Sequence, residues 1–329
     1  LAIDEAHCIS EWGHDFRPDY SRLGEFRQMI HNPLTIALTA TATREVQTDI
    51  IQKLNLQPDE MKIFHEGIER PNLRLEAADV FDEKEKLKEI FAVIDNYKGS
   101  GIIYFSLIQT LEKFSQLLSD KGYSHNVYHG KLSDVQRKKM QREFMNGNNQ
   151  LILATNAFGM GIDKSNVSFV IHYNMPKNLE SYYQEAGRAG RDGSPADCIL
   201  LYGGQDVVTN QFLIDQNNDN SELDSEIAEQ VKEKERERLK QITYYCHSLD
   251  CLREYILQYF GDQTANYCGH CGNCNTHFEE IDIIVPAQQI LSCIVRTGER
   301  YGLKVIIDTL RGSKAEKITR LGLHLIKGY

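Results

Sequence analysis

Short apolar runs separated by amphipathic stretches pattern the chain up to about residue 205. Ile36 to Leu38, Gly101 to Phe105, Asn126 to Tyr128, Leu151 to Ala154, Phe169 to His172 and Cys198 to Leu201 read as buried strands with helices between them. That alternation predicts an α/β fold, a doubly wound parallel sheet. The opening triplet Leu1-Ala2-Ile3 runs into Asp4-Glu5 with no methionine before it. It reads as the end of a buried strand, so the chain is expected to be an internal fragment that begins inside a domain. Pro71 and the charged stretch Asp82 to Lys88 bracket the expected boundary between a truncated first domain, 1–72, and a second, 73–205.

Beyond Asp206 the strand pattern stops. Asn217 to Asn220 reads as a polar linker, and Glu226 to Lys240 is a strong helix former whose alternating charges fit a solvated face. A helix from Leu239 to Phe260 would carry the apolar stripe Ile242, Cys246, Leu249, Ile256 and Phe260. After a cysteine-rich loop come three amphipathic stretches, Val285 to Arg300, Leu303 to Leu310 and Ser313 to Leu321. Arg311-Gly312-Ser313-Lys314 would join the last two as a tight turn with a serine N-cap, as in a helix-turn-helix. These two regions are expected to occupy 206–277 and 278–329. A DNA-binding surface and a merely solvated basic surface both fit the last one.

Composition narrows this reading. Hydrophobic residues are 41%, charged residues 26% and aromatics 9%, the usage of an ordinary folded protein. No apolar run approaches the roughly 20 residues of a membrane-spanning helix, so no membrane partner is expected. The formal charge of −10 argues against a uniformly basic nucleic-acid coat protein. That total is unevenly placed. Asp206 to Lys240 holds ten acidic and five basic residues, whereas Ile281 to Tyr329 holds four acidic and eight basic ones. Of eight cysteines, four crowd between Cys251 and Cys274, which suggests metal in a reducing, cytoplasmic compartment rather than a disulfide scaffold.

Several motifs carry chemistry. Asp4-Glu5-Ala6-His7 would stand at the carboxyl end of a strand, where α/β sheets place ligands; an Asp there suits Mg²⁺ and a Glu suits the water that attacks a phosphate. In Gln184-Glu185-Ala186-Gly187-Arg188-Ala189-Gly190-Arg191-Asp192-Gly193, helical spacing would put Gln184, Arg188 and Arg191 on one face, with Gly187 and Gly190 clearing space for a ligand or a facing backbone. Two guanidiniums on one face suit phosphate oxygens. The loop Trp12-Gly13-His14-Asp15-Phe16-Arg17-Pro18 holds the one tryptophan beside Phe16 and Arg17, fit either for stacking on bases or for the core. Thr39 to Thr43 offers hydroxyls for capping or for relaying hydrogen bonds. Ala154 to Asp163 places a glycine-containing loop and an acidic residue after another strand. No G-x-x-x-x-G-K-[ST] phosphate loop occurs in the chain.

Cys268-x-x-Cys271-x-x-Cys274 supplies three thiolates, and a closed zinc site needs a fourth ligand. Cys246, Cys251, His247, His270 and His277 are the candidates. Cys246 belongs to the apolar stripe, and Cys251, about 140° further round the helix, is free to face the loop, so Cys251 is chosen. The bacterial iron–sulfur pattern would need a cysteine where Phe278 stands.

In order, Asp-Glu-Ala-His, Trp-Gly-His-Asp-Phe-Arg-Pro, Thr-Ala-Thr-Ala, Phe-Gly-Met-Gly-Ile, Gln-Glu-Ala-Gly-Arg-Ala-Gly-Arg-Asp-Gly and the four-cysteine spacing resemble the RecQ family of DNA helicases across essentially the whole chain. The resemblance implies RecA-like P-loop NTPase domains, the first truncated, then a helical zinc-binding domain and a partial winged helix. It implies an ATP-driven 3′ to 5′ motor that unwinds DNA in repair, recombination and replication. Its partners would be single-stranded and duplex DNA, and it admits a single-stranded DNA-binding protein. Asp4 would coordinate Mg²⁺ and Glu5 would activate water. Gly161, Asp163, Gln184, Arg188 and Arg191 would face ATP, with Arg191 the preferred arginine finger and Arg188 next. His7, Trp12, Phe16 and Arg17 would couple DNA contact to hydrolysis, and Arg311, Ser313 and Lys314 would meet DNA. Cys251, Cys268, Cys271 and Cys274 would hold a structural Zn²⁺. The family's phosphate loop and adenine-reading motif would lie before Leu1, leaving the isolated fragment inactive. The alternative is a non-catalytic, zinc-stabilised DNA-binding or adaptor protein with a degenerate helicase body.

Overall fold

The computed structural model describes residues 1–10, 16–65, 67–97, 99–147, 150–159, 163–216, 225–262, 266–279 and 281–326. Trp12, Gly161 and the linker Asn217 to Asn220 lie outside them. The chain divides into two compact units, Leu1–Thr276 and His277–Tyr329.

The first unit opens with β1 (Ala2–Ile3) and continues through α1 (Pro18–Ser21), α2 (Leu23–Met29), β2 (Ile36–Ala37) and α3 (Arg44–Lys53). β1 and β2 pair in parallel, Ala2 opposite Ile36. Proline opens α1, where a missing N–H is harmless. Thr43 caps α3 by accepting from the Val46 amide at 3.4 Å. Val46, Ile50 and Leu54 then bury against Ile3, Ala6 and Ile9.

A larger sheet follows, all parallel, in the order β3-β8-β7-β4-β6-β5. Its elements are β3 (Leu73–Asp79), α4 (Glu83–Asn96), β4 (Ser100–Tyr104), α5 (Ile108–Asp120), β5 (Asn126–Tyr128), α6 (Asp134–Met145), β6 (Leu151–Ala154), β7 (Val167–His172), α7 (Leu179–Ala186) and β8 (Ala196–Tyr202). Neighbouring residues enter opposite cores. Ile102, Ile152 and Val170 pack on one face, and Ile103, Leu153 and Ile171 on the other. Burial on both faces is why these strands read as continuous apolar runs.

β3 escaped the apolar-run criterion because Arg74 and Glu76 alternate with buried Leu73 and Leu75. The stretch Asp82 to Lys88, read as flanking a boundary, instead starts α4: Asp82 caps it by accepting from the Glu85 amide at 2.8 Å. Its charges lie on a solvated helix face, apart from a buried Lys86.

The first unit ends with α8 (Gly204–Gln216), α9 (Ser225–His247), α10 (Leu252–Tyr259) and α11 (Gly272–Asn275). The expected single helix over 239–260 is therefore two. Residues 248–251 break it, and the Asn273 amide takes up the freed carbonyls of Ser248 and Asp250 at 2.7 and 2.8 Å. Leu249, placed in the apolar stripe, sits in the break and is 64% exposed.

The second unit holds α12 (Ile284–Arg296), α13 (Leu303–Leu310) and α14 (Glu316–Arg320), with a small core of Val305, Ile318 and Leu323 backed by Tyr301 and Ile326. α12 stops short of the expected Arg300 because Gly298 and Glu299 adopt positive φ, 76° and 57°. Ser313 does not cap the last helix. Gly312 turns at φ 65°, the Ser313 hydroxyl accepts from the Ala315 amide at 3.2 Å, and α14 begins three residues later than expected. Among the described residues, no helix is long and apolar enough to cross a membrane.

Candidate active site and metal centre

The carboxyl ends of β1 and β2 meet where the Ala6 amide donates to the Leu38 carbonyl at 2.9 Å. That junction holds Asp4 to His7 in a fixed bend. Glu5 takes a left-handed backbone, φ 51° and ψ 45°, which costs a non-glycine residue about 1 kcal/mol or more. The Asp4 carboxylate accepts from the Glu5 amide at 2.9 Å. Glu5 points its Oε2 to within 3.4 Å of His7 Nδ1, and the same nitrogen lies 3.0 Å from the Thr39 hydroxyl. His7 is buried, and Thr39 also accepts from the Thr41 amide at 3.3 Å. The threonine run thus ties the first motif to β2 and caps α3.

Opposite lies the arginine-rich segment. The expected helical face is corrected here: α7 ends at Ala186, and residues 187–192 are turns, with Gly190 at φ 55°. The glycines serve close backbone approach. A Cβ on Gly190 would stand 2.4 Å from Asn72 Nδ2 and 2.6 Å from the Ser194 carbonyl, and one on Gly187 would stand 2.9 Å from the Tyr183 carbonyl. Arg188 is 6% exposed, and its Nε finds no partner among the described residues. Burial pushes the neighbouring Tyr104 hydroxyl up, and the positive charge of Arg188 opposes that rise. Arg191 pairs with Asp163 at 2.8 Å. Glu185 turns inward to His172, 2.9 Å away.

Between the two segments runs a cleft of about 2050 Å³ whose wall includes Glu5, His7, Arg17, Asp163, Gln184, Arg188 and Arg191. The site residues expected from opposite ends of the first unit therefore converge. Asp4 is exposed and does not line this wall, and Phe16 is half-buried away from it. The Arg17 amide donates to the Cys8 carbonyl at 3.1 Å, anchoring the aromatic segment to the first motif. Arg311, Ser313 and Lys314 belong to the second unit, at the turn between α13 and α14; Arg311 and Lys314 are exposed.

The four chosen sulfurs, Cys251, Cys268, Cys271 and Cys274, lie within 4.8 Å of one another. A tetrahedron with Zn–S bonds of about 2.3 Å has edges near 3.8 Å, so the donor set fits a closed zinc site after small adjustments. The amides of Cys271 and Cys274 donate to the sulfurs of Cys268 and Cys271 at 3.3 and 3.4 Å, which favours thiolates. Burial opposes ionisation of Cys268, but the amides of His270 and Cys271 outweigh it and bring its thiol down to about 6. Three of the other candidates are engaged elsewhere, and His277 is exposed and outside the cysteine cluster. Cys246 is buried in the main core, His247 packs edge-on to Tyr202, and His270 meets Arg253 Nη2 at 2.7 Å.

Two arginines escaped the sequence reading. Arg70 donates to three carbonyls of the 187–190 turn, and Arg253 donates to the carbonyls of Arg70 and Leu73. Arg253 left one signal, a charge three and four positions before Ile256 and Leu257 on an apolar helix face. Arg70 left none, since its partners are backbone atoms more than 100 residues away.

Residues 82–193 match the helicase conserved C-terminal domain, 204–275 the RecQ zinc-binding domain, and 277–329 the RQC domain. The chain is 41% identical over 330 residues to the ATP-dependent DNA helicase RecQ of Bacillus subtilis, covering 100% of the chain and 54% of that protein. Against the namesake of Pasteurella multocida it is 38% identical, over 97% of the chain and 48% of that protein. The Haemophilus influenzae protein is 37% identical, over 100% of the chain and 51% of its own length. The chain spans about half the length of these relatives. With a parallel RecA-like sheet, a four-cysteine centre inside the zinc-binding match and the RQC match after it, the chain belongs to the RecQ family.

Proposed function

We propose that the full-length protein is an ATP-dependent DNA helicase that translocates 3′ to 5′ on single-stranded DNA and unwinds duplexes. The observation that carries this reading is the cleft in which Glu5 and His7 face Gln184, Arg188 and Arg191. Such an arrangement suits phosphoryl transfer, which relies on positioning and charge stabilisation rather than on covalent chemistry by the protein.

A bound Mg²⁺ ion would supply neutralisation of the phosphate oxygens, and Asp4, exposed and one residue before the cleft-lining Glu5, would hold it through water. Glu5 would orient the attacking water and accept its proton, its carboxylate steadied beside His7. Arg191 would leave Asp163 for the charge developing on the phosphoryl group, and Arg188 would support it with the donor that has no partner among the described residues. Gln184 and Asp163 would line the nucleotide. His7 links this chemistry to Thr39, and Arg17 carries the link toward the aromatic segment with Phe16, where DNA contact would be sensed. Zn²⁺ on the four cysteines would be structural, in keeping with the reduced thiols of a cytoplasmic setting. The exposed Arg311 and Lys314 beside Ser313 would meet duplex phosphates.

DNA-stimulated ATP hydrolysis by the full-length protein tests the reading. Glu5→Gln is expected to lower kcat at least about 100-fold while ATP and DNA still bind. Residues 1–329 hold no phosphate loop and are expected to hydrolyse negligible ATP alone. A full-length protein that binds DNA and zinc but shows no stimulated hydrolysis would instead be the adaptor.

A further inference from the structure

Arg70 stands in the connection that leads into β3, on the cleft wall. Its Nη1 donates to the Gly187 carbonyl at 3.0 Å, and its Nη2 donates to those of Ala189 and Gly190 at 2.9 Å each. Asn72 adds its amide to the carbonyls of Gly190 and Ser194 at 2.8 and 2.9 Å. This is the turn that carries Arg188 and Arg191 past the end of α7, where helix carbonyls lack intrahelical partners. The Arg70 backbone is fixed in turn, because Arg253 Nη1 donates to the Arg70 carbonyl at 2.6 Å. Both terminal nitrogens of Arg70 donate to carbonyls of the turn, three bonds in all, and it is through the turn that Arg70 would act on a bound nucleotide.

We propose that Arg70 is a positioning residue: it holds the turn from which Arg188 and Arg191 reach the phosphates, and sets the rate of hydrolysis without binding the nucleotide itself. The proposal rests on reading the cleft as an ATPase site. Planarity matters, since a fork serves several carbonyls that a single ammonium serves less well.

In the full-length protein, Arg70→Ala is expected to lower kcat for DNA-stimulated hydrolysis about 10- to 100-fold, the loss that a misplacement on the order of 1 Å brings. KM for ATP should change less than about threefold, zinc should stay at one per chain, and Arg70→Lys should fall between Arg70→Ala and the parent. Combining Arg70→Ala with whichever of Arg188→Ala and Arg191→Ala lowers kcat more should cost less than about threefold further, because both act through one turn. Multiplied losses in that double variant, or a loss carried by KM or by zinc content, would overturn the proposal while the ATPase reading stood. A parent protein without stimulated hydrolysis would overturn both. If Arg70→Ala fails to fold, Arg70→Lys and Arg70→Gln enter the same double-variant comparison.

Discussion

Cys246 sits beside Ile242 and Tyr245 in the main core, where burial pushes its thiol up, whereas Cys251 turns toward the sulfurs of the cysteine loop. Native mass spectrometry of the first unit is expected to find one zinc per chain, lost in Cys251→Ser and kept in Cys246→Ser. The second change is expected to cost only about 1–3 kcal/mol, for a hydroxyl buried among apolar groups. The opposite pattern would reverse the ligand assignment. Residue chemistry of this kind was legible from sequence because donor types and their spacing define it. The conformation of those residues was not. Nothing in Asp-Glu-Ala-His foretells that Glu5 is left-handed, since that follows from the junction of Ala6 with Leu38, contributed by a different strand. Arg253 and Arg70 were hidden for the same reason, their partners being carbonyls that any sequence possesses.

The strands of the larger sheet were readable because burial on both faces demands continuous apolar runs, and β5 and β6 fall where those runs lie. β3 was missed because charged Arg74 and Glu76 interrupt its apolar positions. Helix lengths failed wherever a local hydrogen bond outcompetes helical propensity, as at 248–251, where Asn273 satisfies the broken turn. The arginine segment failed similarly: its periodicity is helical, yet Gly190 stops any helix with φ 55° and close contacts to Asn72 and Ser194. Gly190→Ala is therefore expected to destabilise the first unit by about 1–3 kcal/mol. That should appear as a fall in Tm of a few degrees, roughly 2–4 °C per kcal/mol. An unchanged Tm would show that the turn relaxes freely.

Across the molecule, the charge total conceals a division of labour, since acidic residues gather between Asp206 and Lys240 and basic ones after Ile281. A negative average is compatible with a locally basic surface for nucleic acid. The parallel sheet also has an open side at β3. The Ala196 amide donates to the Asn72 carbonyl, so Asn72 faces β8 and Leu73 faces outward. Arg253 covers the outward carbonyl of Leu73 at 2.6 Å, and Gly272 of the cysteine loop lies against Glu76. The metal centre thereby guards a strand whose free backbone groups would otherwise recruit a strand from another molecule. Chelating the zinc is expected to produce light scattering that grows with protein concentration before helical circular dichroism is lost; a monodisperse sample after chelation would show that the guard does not depend on metal. On that expectation, zinc supply sets how long the protein stays dispersed as well as how its cysteine loop folds.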